Sequence, residues 1–254
     1  MDWGISGKVV LVTGAAVGIG AEIARQFAAT GARVFGADRA WPDIPSTDSL
    51  TPLSLDVSDR DAVHATVAQV VEDGGSLDIL VNNAGTMRAR DSIFDYDKGD
   101  WDTILGVNAS GLFFCIQAAA KAMRDSGSGG SIVNVASGAG RNGRTLSPPY
   151  AASKAAVINI TRSSALLLAS DGIRVNAVAP GIIDTEFNRR LGRQFGEREG
   201  LTPEQYVAKR AEPVPLGRVG TTEDVAQVIC FLASPFSGYV TGQTVNVDGG
   251  LVLS

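Results

Sequence analysis

Tyr150 and Lys154 stand four residues apart in the run SPPYAASK, residues 147–154. On an α-helix that spacing puts both side chains on one face, within reach of the same ligand. A phenol of ordinary pKa, near 10, is a poor base at neutral pH. A cation about 5 Å away, at an effective dielectric near 20, favours the phenolate by roughly 3 kcal/mol, or about two pKa units. The lysine is therefore expected to bring Tyr150 toward about 8, where it exchanges a proton with an alcohol or a ketone. Ser137 ends the apolar run GGSIVNVAS just upstream and offers a hydroxyl to the same oxygen. Each residue alone has a plainer role: Tyr150 following two prolines into a helix, Lys154 as a solvated charge, Ser137 as a turn former.

A second group of residues would bind what the proton chemistry needs. Directly after KVVLVTG comes TGAAVGIG, with Gly14, Val17, Gly18, Ile19 and Gly20 leading into a helical pattern. Glycine lets the chain turn tightly and approach a pyrophosphate, and a helix start presents free N–H groups and a positive dipole end. The spacing is G-x-x-x-G-x-G where the usual dinucleotide fingerprint is G-x-G-x-x-G, but the strand-turn-helix context is the required one. Asp38 closes the next apolar run, where a carboxylate accepts hydrogen bonds from both ribose hydroxyls of an adenosine. Against a 2′-phosphate about 4 Å away it would cost roughly 4 kcal/mol at a dielectric near 20, around a thousandfold bias toward NAD. Arg39 is able to pair with a 2′-phosphate and soften that bias.

These residues need a scaffold that gathers them. Short β-rich runs alternate with helical patterns along nearly the whole chain, which implies right-handed crossovers and a sheet of about seven parallel strands with helices on both faces. The expected fold class is α/β, a Rossmann-type doubly wound parallel sheet, in one domain spanning residues 1–254. Helices are expected over about 18–30, 59–72 and 100–124, and again around Tyr150 and Lys154. Two segments break the rhythm: the proline-rich run 40–52, expected as mostly loop, and the charged, weakly periodic stretch of about 184–215, an excursion outside the sheet of the kind that often forms a lid over a substrate. Gly14, Asp38, Asp56, the NNAG of residues 82–85, Ser137 and Pro180-Gly181 all fall at or just past a strand's carboxyl end, the rim where open parallel sheets bind ligands. Asp56, with Val57 beside it, serves either as a turn or as an adenine contact; Asn82 and Asn83 order the rim around Ala84 and Gly85.

Composition excludes several classes. The chain has 254 residues, a formal net charge of -5 and 44% hydrophobic residues, with a sequence pI near 4.9. No Lys/Arg stripe is present to displace counterions, so no nucleic-acid partner is expected. The first residues lack a basic and then apolar leader, and the most apolar helical runs carry Lys154 and Arg162 or Gln117 and Lys121. A cytoplasmic protein without a membrane partner is the expectation. Cys115 and Cys230 sit in apolar helical runs and read as reduced core residues. His64, the single histidine, reads as part of a solvated helix face and cannot complete a histidine-based metal site, so no metal is expected.

Taken together, TGAAVGIG, NNAG, Asn108 in GVNASG, Ser137 in SGAG, YAASK and PGIIDT resemble the short-chain dehydrogenase/reductase family over essentially the whole chain. The resemblance implies that Tyr150 is the acid/base, that Lys154 lowers its pKa and holds the nicotinamide ribose, and that Ser137 orients the substrate oxygen. It further implies that Asn108 supports a proton relay, that Ile183 and Thr185 contact the nicotinamide end, and that YVTGQTVNVDGG and the Tyr150 helix build a homotetramer. Val17 stands where NADP-using relatives often carry a basic residue. The activity implied is NAD-dependent interconversion of a secondary alcohol and its ketone. The run from Gly138 to Leu168 is similar to bacterial polyol dehydrogenases, with Arg141, Asn142 and Arg144 as donors to a polyhydroxylated chain or as solvated loop residues. A ketone or 3-oxoacyl reductase is the alternative, and a non-catalytic NAD-binding sensor or scaffold the reading from another class.

Overall fold

The computed structural model describes residues 3–41, 47, 49–143 and 146–253. Seven strands form one parallel sheet in the order β3-β2-β1-β4-β5-β6-β7. They are β1 (Val9–Thr13), β2 (Arg33–Asp38), β3 (Leu50–Ser54), β4 (Ile79–Asn82), β5 (Gly130–Val135), β6 (Ile173–Pro180) and β7 (Thr244–Val247). The order reverses between β1 and β4, which opens a crevice at the carboxyl ends of the strands.

Strand side chains alternate between two buried layers. Val9 and Leu11 enter the layer with Val67, Cys115, Met123 and Val157, whereas Val10 and Val12 enter the one with Ile23, Phe27, Val225 and Ile229. The first layer is supplied by α2 (Arg60–Gly74), α4 (Leu112–Ser126) and α5 (Pro148–Leu168), the second by α1 (Gly18–Ala29) and α8 (Thr222–Ala233). Both cysteines are free and buried, and burial pushes each thiol up to about 12. The expected doubly wound architecture is the observed one.

Three local expectations change. The helix expected over 100–124 is α3 (Lys98–Leu105) joined to α4 by a π-helical turn, Gly106–Gly111, centred on the GVNASG motif; such wide turns recur at functional sites. His64 is half-buried with Nε2 inside the protein and unpartnered among the described residues, so it is not simply part of a solvated face. The excursion of 184–215 is mostly helical, with α6 (Glu186–Leu191), α7 (Pro203–Ala211) and short turns between. The N-terminal cap at Thr185 and the capping box of Thr202 with Gln205 fix both helices. Of the run 40–52, residues 42–46 and 48 lie outside the described residues, as does Arg144.

Candidate active site

One cavity of about 560 Å³ opens along the strand ends and reaches from Asp38 to Arg210. At its β1 end the glycine run leaves no room for a side chain: a Cβ on Gly20 would lie 1.9 Å from the carbonyl oxygen of Gly14. The NNAG segment is strapped onto this loop. Asn83 Nδ2 donates to the carbonyls of Thr13 (3.0 Å) and Gly14 (2.8 Å), and Thr13 Oγ1 accepts from the N–H groups of Asn83 and Ala84, both at 3.1 Å. Behind them Asn82 Nδ2 donates to Asn134 Oδ1, and Asn134 Nδ2 to Thr161 Oγ1, both at 3.0 Å, tying β4 through β5 to α5.

The helix starts differ in their caps: five carry a side-chain cap, and α1, α4 and α5 do not, α4 continuing a π-helical turn and α5 opening on two prolines. Asp59, Asp97, Thr185, Thr202 and Thr221 cap α2, α3, α6, α7 and α8 with their side chains. At α1 the cap position is Val17, which provides no such acceptor, and Val17, Gly18 and Ile19 form cavity wall. The first-turn N–H groups of α1 are thus left for an anion. Asp38, at the tip of β2, accepts from the N–H of Ala16 at 3.1 Å and of Arg39 at 2.7 Å, which sets its carboxylate beside the loop. A glycine cradle, an uncapped helix start and a preset carboxylate fit the pyrophosphate and adenosine ribose of a dinucleotide. Pro180, Gly181, Ile183 and Thr185 line the same cavity toward its other end.

Three residues expected on the adenine side stand off that wall. Arg39 lies 3.8 Å from Asp56. Asp56 is turned into its own loop, accepting from the N–H (2.9 Å) and hydroxyl (2.6 Å) of Ser58. Those hydrogen bonds hold its carboxyl below the usual range against the opposing effect of burial. Val57 is buried in the core.

Tyr150, Lys154 and Ser137 do meet on the cavity wall. The prolines Pro148 and Pro149 occupy the first two positions of α5; lacking N–H groups, they leave less of the helix start to be capped. Ser147 ahead of them donates to the carbonyl of Arg88 at 2.8 Å and anchors the turn. Lys154 is 4% exposed and donates to the carbonyl of Val135 at 2.7 Å, with its Nζ 5.8 Å from the centre of the Tyr150 ring. Burial brings its pKa down to about 8. The same burial raises Tyr150, and a hydrogen bond from Ser137 and the charge of Arg210 pull the other way. The downward shift expected of Tyr150 is therefore not what this site shows. Lys154 lies over the ring face, and its own ammonium is disfavoured by the surroundings that disfavour the phenolate.

Asn108 stands behind the cavity wall, its Oδ1 next to Gly85 of that wall. Fully buried in the π turn, its side chain accepts from the N–H of Thr86 (2.7 Å) and donates to the Thr86 carbonyl and to Ser153 Oγ, both at 2.9 Å. Ser153 in turn donates to the carbonyl of Tyr150 at 2.7 Å. Asn108 thus locks the segment after β4 to the first turn of α5. Arg141 is spent on β7, donating to Thr244 O (2.6 Å) and Asn246 Oδ1 (3.2 Å), and Asn142 is exposed; neither lines the cavity.

The far end of the cavity belongs to residues the motifs do not announce: Met87, Phe187, Asn188, Leu191 and Arg210. Its roof is clasped to the segment after β4. Arg190 donates to Met87 O (3.4 Å), Gln194 to Ala89 O (3.1 Å), and Arg198 pairs with Asp91 at 2.6 Å. The one signal in the sequence was the four-residue spacing of Tyr206 and Arg210 behind a capping box, which puts both on one face of α7.

Comparison with known proteins agrees with this geometry. Residues 14–252 match the family model described as Enoyl-(Acyl carrier protein) reductase. The chain is 39% identical over 251 residues to the sorbitol dehydrogenase of Cereibacter sphaeroides, covering 97% of this chain and 98% of that one. It is 42% identical over 258 residues to a 3-oxoacyl-(acyl-carrier-protein) reductase of Thermotoga maritima, covering 98% and 99%. The ligand-free aldohexose dehydrogenase of Thermoplasma acidophilum superposes with a TM-score of 0.92 at 33% identity, covering 99% of this chain and 96% of that one. With a seven-stranded doubly wound sheet, a glycine cradle under an uncapped helix and a Ser-Tyr-Lys wall at the strand ends, the chain belongs to the short-chain dehydrogenase/reductase family and is an oxidoreductase.

Proposed function

We propose that this protein is an NAD-dependent dehydrogenase that interconverts a secondary alcohol and its ketone, with Tyr150 as the acid/base. The observation that carries the proposal is the meeting of Tyr150, Ser137 and Lys154 on the wall of the cavity whose other end is Asp38 and the uncapped α1. When bound, NAD supplies the hydride acceptor. Ser137 holds the substrate oxygen, and Tyr150 takes its proton during oxidation or returns it during reduction. Lys154, at about 8 close to neutrality, supplies charge next to the phenol and a donor for a ribose hydroxyl. Asn108 keeps α5 and the NNAG segment in register, and its π turn widens the backbone for a relay through water.

The preference for NAD rests on Asp38, whose carboxylate is fixed in place, and on Arg39, which is drawn toward Asp56. A sugar alcohol or sugar is the first substrate class to test, since a sorbitol dehydrogenase and an aldohexose dehydrogenase are among the similar proteins. Reduction of a ketone or 3-oxoacyl group is the second reading, favoured by the apolar walls around Phe187 and Leu191 and by the similar reductase. We further propose a homotetramer, supported by the outward-facing leucines of α5 and the exposed aromatics ahead of β7.

A panel of polyols, aryl ketones and acyl thioesters assayed with NAD(H) and NADP(H) separates these readings. Tyr150→Phe is expected to bind NADH as the wild type does and to lose at least about a hundredfold in kcat. Wild-type turnover in that variant would remove the tyrosine from the mechanism, and higher kcat/KM with NADP would remove the Asp38 argument.

A further inference from the structure

The lid of α6 and α7 meets the segment after β4 in a register that repeats three times. Arg190, Gln194 and Arg198 stand four residues apart on the helical path that runs from α6 through the turns Gly192–Gly196 and Glu197–Glu199. Their partners stand two residues apart: Met87 O at 3.4 Å, Ala89 O at 3.1 Å and the carboxylate of Asp91 at 2.6 Å. Four helical residues advance about 6 Å and two residues of extended chain about 6.6 Å, so each step on one side matches a step on the other. Four α-helical residues also overshoot a full turn by about 40°; the wider π turn takes up that drift and keeps the three side chains in line. The strap they hold, residues 86–91, lies outside the seven strands, yet its contacts alternate as those of an extended chain do. Met87 and Ala89 are buried with Leu191 and Tyr206 of the lid, whereas Arg88 and Arg90 turn to Asp100 of α3. Slipping by one residue would exchange those two faces, so the next matching register is two residues away. Behind the clasp, α7 packs on the lid helix at two glycines: a Cβ on Gly192 would lie 2.6 Å from Pro203 Cα, and one on Gly196 3.1 Å from Tyr206 Cβ. The lid helix and α7 are therefore one body, seated on the strap by the clasp and the apolar cluster beneath it.

What this register places is Phe187, a cavity-lining residue three positions before Arg190 on α6. Its ring centre lies 6.1 Å from that of Tyr150, with the planes 42° apart, which is within the range of aromatic contact. The guanidinium carbon of Arg190 lies 5.8 Å from the same Phe187 ring. From this arrangement we propose that Arg190, Gln194 and Arg198 are positioning residues for the reaction: their clasp holds the lid in the one register that lays Phe187 against the ring of Tyr150. The inference deepens the dehydrogenase reading and rests on it for the role of Tyr150. Seated in this way, Phe187 closes the wall beside the carbinol carbon and keeps water from the phenol. Arg190, Gln194 and Arg198 are exposed, and polar contacts on an exposed rim compete with water and are weak singly. Among the described residues no backbone hydrogen bond joins the strap to the lid helix. The seat is thus one that releases and re-forms, and apparent substrate affinity scales with the fraction of free enzyme in which it is made.

The test uses the full-length enzyme and the variants Gln194→Met, Arg190→Met with Gln194→Met, Phe187→Ala, and all three changes together. Unchanged NADH affinity shows that each is folded. Hydrogen–deuterium exchange of the enzyme–NADH complex reads the clasp without turnover: the double variant should exchange the amides of residues 186–199 about tenfold faster or more. Sorbitol, acetophenone and acetoacetyl-coenzyme A, one from each class of the panel above, serve as kinetic probes. For any that is turned over, KM should rise about threefold in Gln194→Met and about tenfold in the double variant, with kcat within about twofold of wild type, since saturating substrate restores the seat. Arg190→Lys, which keeps a donor, should stay within about twofold of wild type in KM. Phe187→Ala should lower kcat by about tenfold or more. Adding the clasp changes to Phe187→Ala should raise KM by less than about twofold further, because the clasp acts through Phe187. Wild-type exchange in the double variant overturns the clasp. Faster exchange with unchanged KM, or clasp and Phe187 effects that multiply independently, overturns the positioning role and leaves the dehydrogenase reading standing. Faster exchange with no turnover across the polyol, ketone and thioester panel overturns the dehydrogenase reading, and the positioning role with it, while the clasp itself stands.

Discussion

Lys154 is held in the cleft at a cost that function explains and folding does not. A lysine whose folded pKa is lowered to about 8 binds its proton less tightly than in the unfolded chain, where the value is near 10.4. Stability is therefore reduced at neutral pH and recovers as pH rises from about 8 toward 10. The buried thiols of Cys115 and Cys230, pushed up to about 12, act with the opposite sign above about 9. A comparison with Lys154→Met isolates the lysine. That variant is expected to be more stable than wild type at pH 7 by an amount of order 1–3 kcal/mol, with the gap narrowing to about half or less by pH 9.5, and to lose about a hundredfold or more in kcat. Urea unfolding of both proteins at the two pH values checks it, and a variant less stable than wild type at pH 7 refutes it. The four-residue spacing of Tyr150 and Lys154 and the rim position of Ser137 were legible because they depend on local periodicity and strand ends. The direction of the tyrosine shift was not, since it turns on how far burial weakens both charged forms together. Arg210 was hidden for a related reason: its place on the same cavity wall as Tyr150 is made by the packing of α7 against α6, which no local pattern encodes.

Among the elements, capping and close approach decide where the reactive groups stand. Thr202 with Gln205 and Thr221 with Asp224 are capping boxes that local spacing announces; the first, with the cap at Thr185, turns a stretch of weak apolar periodicity into the ordered lid of α6 and α7, and the second starts α8. The contact that sets Ser137 against Tyr150 is less visible. The short 3₁₀ turn Gly138–Gly140 follows Ser137, whose Oγ accepts from the N–H of Ala139 at 3.1 Å. This turn lies directly on the backbone of α5. A Cβ on Gly140 would fall 2.6 Å from both the carbonyl carbon and oxygen of Lys154 and 2.9 Å from the N of Ala155. A helix backbone cannot yield there, so the turn must lift and carry Ser137 off its line to the phenol. Gly140→Ala is expected to keep the fold and NADH affinity while kcat falls by about a hundredfold, the scale of an ångström's misplacement of a reacting group. Circular dichroism, NADH titration and steady-state kinetics check this together, and wild-type kcat would show that the turn has slack. In the sequence, SGAG stands out only as a motif with Ser137 at a strand end; the reason for its last glycine lies in a helix fourteen residues farther on.

At the scale of the whole molecule, the alternation of apolar runs and helical patterns was enough to give the sheet, because a parallel strand buried on both faces leaves an unbroken apolar run. What alternation does not reveal is which outer faces stay open. Leu166 and Leu167 near the end of α5 are 83% and 76% exposed, and Phe236 and Tyr239 ahead of β7 are 67% and 106% exposed. One exposed apolar patch lies on the Tyr150 helix and one just ahead of the final strand. Closing each about its own two-fold axis makes a tetramer of dihedral symmetry, in which each patch meets its own copy. Each leucine buried in this way contributes roughly 1.5–3 kcal/mol, and the two-fold doubles the effect of every substitution. A protein of chain mass 26.3 kDa is therefore expected to run at about four times that mass by light scattering at micromolar concentration. Leu166→Glu with Leu167→Glu should halve the assembly, Tyr239→Glu should halve it through the other surface, and all three together should leave monomers. Because the first surface lies on α5, its loss should also lower thermal stability more than the loss of the second. A wild-type mass equal to one chain would show that the exposed leucines serve something other than self-assembly.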